Sequence, residues 1–190
     1  MQNSKNSDQK VEQVNVLLFD DFSNHCLANA IEPLRAANSL SRKVLYQWQF
    51  FTPQGTAVTS SSGLQIAPDG PISDASGDML FVMPSYGFRS HAVWENTRKL
   101  KAAAQRHRSM AGLDTGSWLL ANAGLLDGYN ATIHWEELTG FAEAFPEVRA
   151  LRERFVIDCN RITCSGAMAA YDLVLHLIST THGPFLAMEV

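Results

Sequence analysis

A chain of 190 residues is of ordinary single-domain size and can bury a core without disulfides or a structural metal. Its 46% apolar and 18% charged residues describe a globular protein, and a formal charge of −4 with no basic face argues against nonspecific nucleic-acid binding by this chain. Three cysteines without C-x-x-C spacing argue against a disulfide framework and point to a reducing, cytoplasmic setting, while no run approaches the roughly 18 apolar residues of a spanning helix.

Residues 1–12 are polar and read as a disordered leader, leaving a domain over 13–183 and the start of a linker at 184–190. Gln13–Asp20 is a continuous apolar run ending in acids, the pattern of a strand covered on both faces of a parallel sheet. Ser23 or Asn24 caps a helix in which Leu27, Ala30, Ile31, Leu34 and Ala37 recur at helical spacing and which Asn38 closes. Tyr46–Phe51 alternates as a strand, 58–66 reads as a small hairpin, and 68–77 as loop. Met79–Met83 is a second fully apolar strand, and the spacing predicts a helix over 94–108.

Ser109–Trp118 then carries the pattern G-x-Asp-x-G, a small-residue strand turning at once into a helix that ends at Gly124. That is the grammar of a nucleophile elbow, a tight turn that lifts one side chain above a sheet, with Asp114 at the tip. Beyond it come a short strand at 130–133, a helix opened by His134–Glu137 and stopped by Pro146, strands at 155–158 and 161–164, and a closing helix over 167–181. Strands alternating with helices predict a mostly parallel sheet sandwiched between helical layers, with ligands bound outside the carboxyl ends of the strands. Asp20–Phe22, Pro84–Gly87, Asp114–Gly116, His134–Glu136 and Ser165–Gly166 are expected to converge on one mouth.

Gly112–Gly116, Ala123–Gly128, Ala131–Trp135, Phe145–Val148 and Arg161–Gly166 together, in this order, resemble the sensor domain of AraC-type transcription regulators. Within that group the chain resembles the branch whose sensor belongs to the class I glutamine amidotransferase-like superfamily, shared with intracellular-protease and chaperone-like proteins. Regulators of arginine, carnitine and glycine betaine catabolism in this branch carry a similar Asp-Thr-Gly elbow. The resemblance covers about Val14 to His182 and implies a flavodoxin-like three-layer α/β/α sandwich, a ligand-sensing role, and a homodimer controlling DNA through a helix-turn-helix domain outside this chain. It puts Asp114 where the enzymatic cousins keep a catalytic cysteine and His134 where they often keep a histidine. Cys26 fills the place of a glutamate that some of them use, with Glu32 two turns along the same helix.

Amidotransferase chemistry needs a thiolate, whereas a carboxylate at this elbow caps the helix and meets its positive end but attacks amides poorly. The expectation is therefore binding without turnover, with no cofactor and no metal, since no H-x-x-x-H pair is present. The residues expected at the ligand are Asp114, Thr115, His134, Trp135, Glu136, Glu32, Phe22, Ser85, Tyr86 and Gly87, with Phe88 and Trp118 as further aromatic faces. Carboxylates with aromatic faces suit a small cation, an amino acid or a quaternary-ammonium compound. Four other readings stand beside this one: Asp114 as a helix cap alone, His134 as a packed histidine, a hydrolase with Asp114 as nucleophile and His134 as base, and a chaperone-like or purely dimerising module that rests on fold analogy alone. Ligand binding is expected to bias the packing of the closing helix or a dimer contact.

Overall fold

The computed structural model describes residues 10–190, and residues 1–9 of the expected leader lie outside the described residues. The elements in chain order are β1 (Glu12–Leu18), α1 (Asn24–Ser41), β2 (Tyr46–Thr52), β3 (Val58–Thr59), β4 (Gln65–Ile66), β5 (Gly70–Pro71), β6 (Gly77–Met83), α2 (Trp94–Ala104) and β7 (His107–Leu113). They continue with α3 (Gly116–Asn122), β8 (Asn130–Ala131), α4 (Leu138–Ala144), β9 (Arg149–Ala150), β10 (Phe155–Asp158), β11 (Arg161–Cys164), α5 (Ala167–His182) and α6 (Pro184–Glu189).

The apolar run of β1 is buried on both faces because successive side chains of a strand point to opposite sides. Val14, Val16 and Leu18 join α1 and α5 in one core, whereas Leu17 and Phe19 join α2, α3 and Phe141 in the other. β6 divides in the same way, Phe81 and Met83 toward the first core and Leu80 and Val82 toward the second. The sheet order is β10-β11-β7-β6-β1-β2-β5, with every neighbouring pair parallel except β10–β11. The order β2-β1-β6-β7-β11 is the flavodoxin-like doubly wound arrangement, so the expected three-layer sandwich is the observed one. Among the described residues no helix is long and apolar enough to cross a membrane.

Five local differences separate the expected elements from the observed ones. α1 runs past Asn38 to Ser41, because the Asn38 side chain clamps the next strand instead of ending the helix. Its Oδ1 accepts from the Leu45 and Tyr46 amides at 2.8 and 3.0 Å. α2 stops at Ala104 rather than at residue 108, because His107 opens β7 and Arg106 turns back to donate to the Ala75, Ala102 and Ile72 carbonyls. Gly70–Pro71, expected as loop, extends the sheet beyond β2, where proline is tolerated as an edge residue. His134–Glu137 is a turn rather than the first turn of α4, which begins at Leu138. Residues 184–190, expected as the start of a linker, form α6, which packs Leu186, Ala187 and Val190 against the first core.

One buried polar cluster ties β1 to β7. His107 Nδ1 donates to the Ala103 carbonyl at 2.8 Å and its Nε2 accepts from Asn15 Nδ2 at 3.0 Å, an arrangement that needs the neutral ring. Burial pushes the His107 pKa below its ordinary value, so the unfolded chain binds the proton more tightly than the folded one. Stability from this site is thus present above about pH 6.5, the unfolded value, and is lost as pH falls through the folded pKa. The melting temperature should fall between pH 7.5 and 5.5, and His107→Gln should flatten that slope; His182, lowered in the same sense by burial, remains in both proteins. An unchanged slope in the variant would remove His107 as the cause.

Candidate functional site

The elbow between β7 and α3 is built by close backbone approach. A Cβ on Gly112 would stand 2.6 Å from the Ser117 amide nitrogen, and one on Gly116 would overlap the Val82 carbonyl oxygen. Between them Asp114 takes the left-handed conformation with φ of 61°, which Asp and Asn tolerate better than most residues. The turn is fastened on both sides. Thr115 Oγ1 donates to the Ser85 carbonyl at 2.6 Å, Ser117 Oγ donates to the Thr132 carbonyl at 2.6 Å, and the His134 amide donates to the Asp114 carbonyl at 3.0 Å. The loop after β6 and the loop after β8 are thereby drawn to the elbow.

Asp114 does not cap α3 as expected. The residue at the cap position is Thr115, whose hydroxyl is committed to Ser85, and no side chain bonds the first-turn amides. The Asp114 carboxyl instead lines a cavity of 760 Å³, within the size range of small-molecule sites. Burial pushes its pKa up, an effect partly offset by the Ser85 hydroxyl and by the charge of His134 when protonated. The buried Ser85 Oγ makes no in-line hydrogen bond among the described residues, so its influence on the carboxyl is that of a nearby dipole. No lysine or arginine among the described residues forms an ion pair with Asp114.

Eight of the ten expected ligand residues line this cavity: Ser85, Tyr86, Gly87, Asp114, Thr115, His134, Trp135 and Glu136. The other two do not. Phe22 is fully buried in the first core, and Glu32 lies exposed on α1, paired with Arg35 at 2.6 Å. Nor do all five strand ends meet at one mouth. The Asp20–Phe22 turn does not line the cavity: it is tied to the β3–β4 hairpin, the Thr59 amide donating to Asp20 Oδ1 at 3.0 Å and the Asp21 amide to the Thr59 carbonyl at 2.8 Å. Ser165–Gly166 borders a second hollow of 290 Å³ that shares His134 and Trp135 with the first.

The aromatic lining is also redistributed. Tyr86 and Trp135 are each 64% exposed, while the Phe88 and Trp118 rings already carry a cation: Arg89 Cζ lies 4.5 Å from both centroids. Arg89 Nη2 donates to Glu137 Oε2 at 2.5 Å across the cavity wall. Arg89 and Ser90 also line the cavity and carry no sequence signal, since a basic or hydroxyl side chain after a turn looks like ordinary solvated surface. His134 Nδ1 stands 3.7 Å from Glu136 Oε2, and its ring backs onto Gly166, where a Cβ would come within 3.3 Å.

Thiol chemistry has poor conditions here. Cys26 is buried, and desolvation, reinforced by the proximity of Cys164 and Asp114, holds its thiol well above the usual range. Burial likewise pushes Cys164 up to about 11, so both are protonated at neutral pH. Among the described residues no group of three or more His, Cys, Asp and Glu side chains is placed to hold a metal ion.

The chain is 42% identical over 180 residues to the HTH-type transcriptional regulator GbdR of Pseudomonas aeruginosa, which covers 94% of this chain and 49% of that protein. It is 38% identical over 175 residues to the regulator CdhR of the same species, covering 92% of this chain and 52% of CdhR. The chain thus spans about half the length of the curated relatives it matches. A crystal structure of an AraC family transcriptional regulator from Pseudomonas putida superposes with a TM-score of 0.80 at 26% identity, covering 93% of this chain and 96% of that one. The model of the DJ-1/PfpI family matches residues 12–180, and with the fold and elbow described above the chain belongs to the DJ-1/PfpI family.

Proposed function

We propose that this chain is the effector-sensing domain of an AraC-type transcription regulator, and that its cavity binds a small cationic metabolite, an amino acid or a quaternary-ammonium compound, without turning it over. The observation that carries the ligand class is Asp114: a largely buried carboxyl lining a cavity, raised in pKa by desolvation and paired with no protein cation. A buried charge without a partner is costly, and a cationic ligand supplies the partner. Glu136 and the open faces of Tyr86 and Trp135 add charge and cation–π contacts of roughly 0.5–2 kcal/mol each.

Absence of turnover follows from Asp114 standing where a cysteine nucleophile would act, and from two neighbouring thiols held protonated. Regulation in this reading runs through His134, whose ring abuts Gly166 at the start of α5, so a ligand touching His134 biases the seating of α5. α5 packing or a homodimer contact then reorients a DNA-binding domain joined to this one. Only a difference in ligand affinity between the two arrangements can drive such a change.

Thermal-shift and calorimetric titration with arginine, carnitine, betaine and choline tests the reading. At least one compound should raise the melting temperature, by about 2.7 kcal/mol of added stability at a hundredfold excess over Kd. Silence from the whole panel, with binding of an anionic metabolite instead, would sink it.

A further inference from the structure

Ser85 carries two costs at once. Its backbone is left-handed, with φ of 50°, and its hydroxyl oxygen is sealed from solvent with no in-line hydrogen-bond partner among the described residues. The other described non-glycine residues with positive φ have local reasons for it. Arg42 closes α1 in a left-handed cap, Cys159 lies in the tight hairpin between β10 and β11, and Asp21 and Asp114 belong to a residue type that tolerates the conformation. At Ser85 the turn presents the carbonyl that accepts from Thr115 Oγ1 at 2.6 Å, and glycine would present it without strain. What serine adds is the hydroxyl.

That hydroxyl lies beside the Asp114 carboxyl and draws its pKa down against the effect of burial. A hydroxyl has a single proton to donate. Given to one oxygen of the ionised carboxyl, that proton leaves the other oxygen for the cavity, which both residues line. We infer that Ser85 is a positioning residue for Asp114, its hydroxyl holding the carboxylate with one oxygen presented to the ligand. A bond to the ionised form is stronger than one to the neutral acid, so the contact tightens in the charge state that a cation needs. For binding, this rests on the cation reading of Asp114 given above.

The Asp114 carboxyl can be followed directly by carbon NMR, its signal identified by its loss in Asp114→Asn. In Ser85→Ala and in Ser85→Gly its titration should move to higher pH, because a donor that favours the ionised form is gone. His134, Cys26 and Cys164 stand near Asp114, and Arg89, Glu136 and Glu137 share its cavity, but all six are common to wild type and both variants. Whichever of choline and arginine the wild type binds, both variants should bind about tenfold more weakly at pH 7, the size of one lost charge-assisted hydrogen bond. Glycine relieves the left-handed strain and alanine keeps it, so Ser85→Gly should melt above Ser85→Ala while losing as much affinity. Wild-type affinity in the glycine variant, or a carboxyl that titrates as in wild type, overturns the inference. Should Ser85→Ala fail to fold by circular dichroism, Ser85→Gly carries both readouts alone. If the titration moves and the wild type binds neither choline nor arginine, the pairing of Ser85 with Asp114 stands and the cation reading alone fails.

Discussion

Asp114→Asn should raise the melting temperature of the free protein and at the same time remove most of the thermal shift given by its effector. Asparagine keeps the size of the side chain and the tolerance for the left-handed turn at φ 61°, so the elbow survives and only the charge is lost. The sign follows from the pKa. Burial raises the Asp114 pKa in the fold, so whatever stability the site contributes is fully present below the unfolded value of about 3.9 and is lost as pH rises through the folded pKa. Wherever it is ionised, the carboxyl is a net cost to the fold. A gain on the order of 1 kcal/mol on its removal would raise the melting temperature by roughly 2–4 °C for a domain of this size. The effector loses a charged partner, worth about 1.5–3 kcal/mol or roughly 10–100-fold in Kd. Differential scanning with and without effector at pH 7 and pH 3.5 measures both effects. The stability gain should vanish at the lower pH, where wild-type Asp114 is itself protonated. A destabilised Asp114→Asn protein that still responds to effector would contradict the assignment of Asp114 as the ligand's partner.

That trade between stability and binding explains which parts of the molecule can be read from the chain alone. β1, β6 and the elbow are legible because each is dictated locally: unbroken apolar runs admit only a doubly covered strand, and Gly112 and Gly116 bracket a turn that other residues cannot make. Asn38 and His107 mislead because their roles are set by partners distant in sequence. A side chain that caps a helix and one that clamps the next strand look alike before the strand is in place. Glu32 fails for a geometric reason. Six residues beyond the buried Cys26 at about 100° each amounts to about 240° around α1, which turns Glu32 away from the sheet and into solvent. Phe22 fails because the turn after β1 is tied to the β3–β4 hairpin and does not line the cavity. Arg89 goes unseen because Phe88, Trp118 and Glu137 together set its place in the cavity wall, and no periodicity records that.

Gly116→Ala should be the most damaging single substitution at the elbow. The new Cβ would overlap the Val82 carbonyl oxygen, a backbone atom that cannot rotate away. Val82 lies in the centre of the sheet, paired in register with Leu17 of β1 on one side and Gly112 of β7 on the other, so moving it disturbs both pairs. Overpacking against fixed backbone should cost more than about 3 kcal/mol, which lowers the melting temperature by roughly 6–12 °C. Gly128→Ala is the matched control. Gly128 needs its left-handed φ of 79°, but nothing lies within 4 Å of its Cβ position, so the cost should be confined to the conformational penalty of about 1–2 kcal/mol. Chemical denaturation of the two variants separates close approach from conformational freedom as the reason for glycine. If Gly116→Ala is no worse than Gly128→Ala, the elbow can relax away from β6, and the short Thr115–Ser85 bond does not fix Asp114 over the cavity.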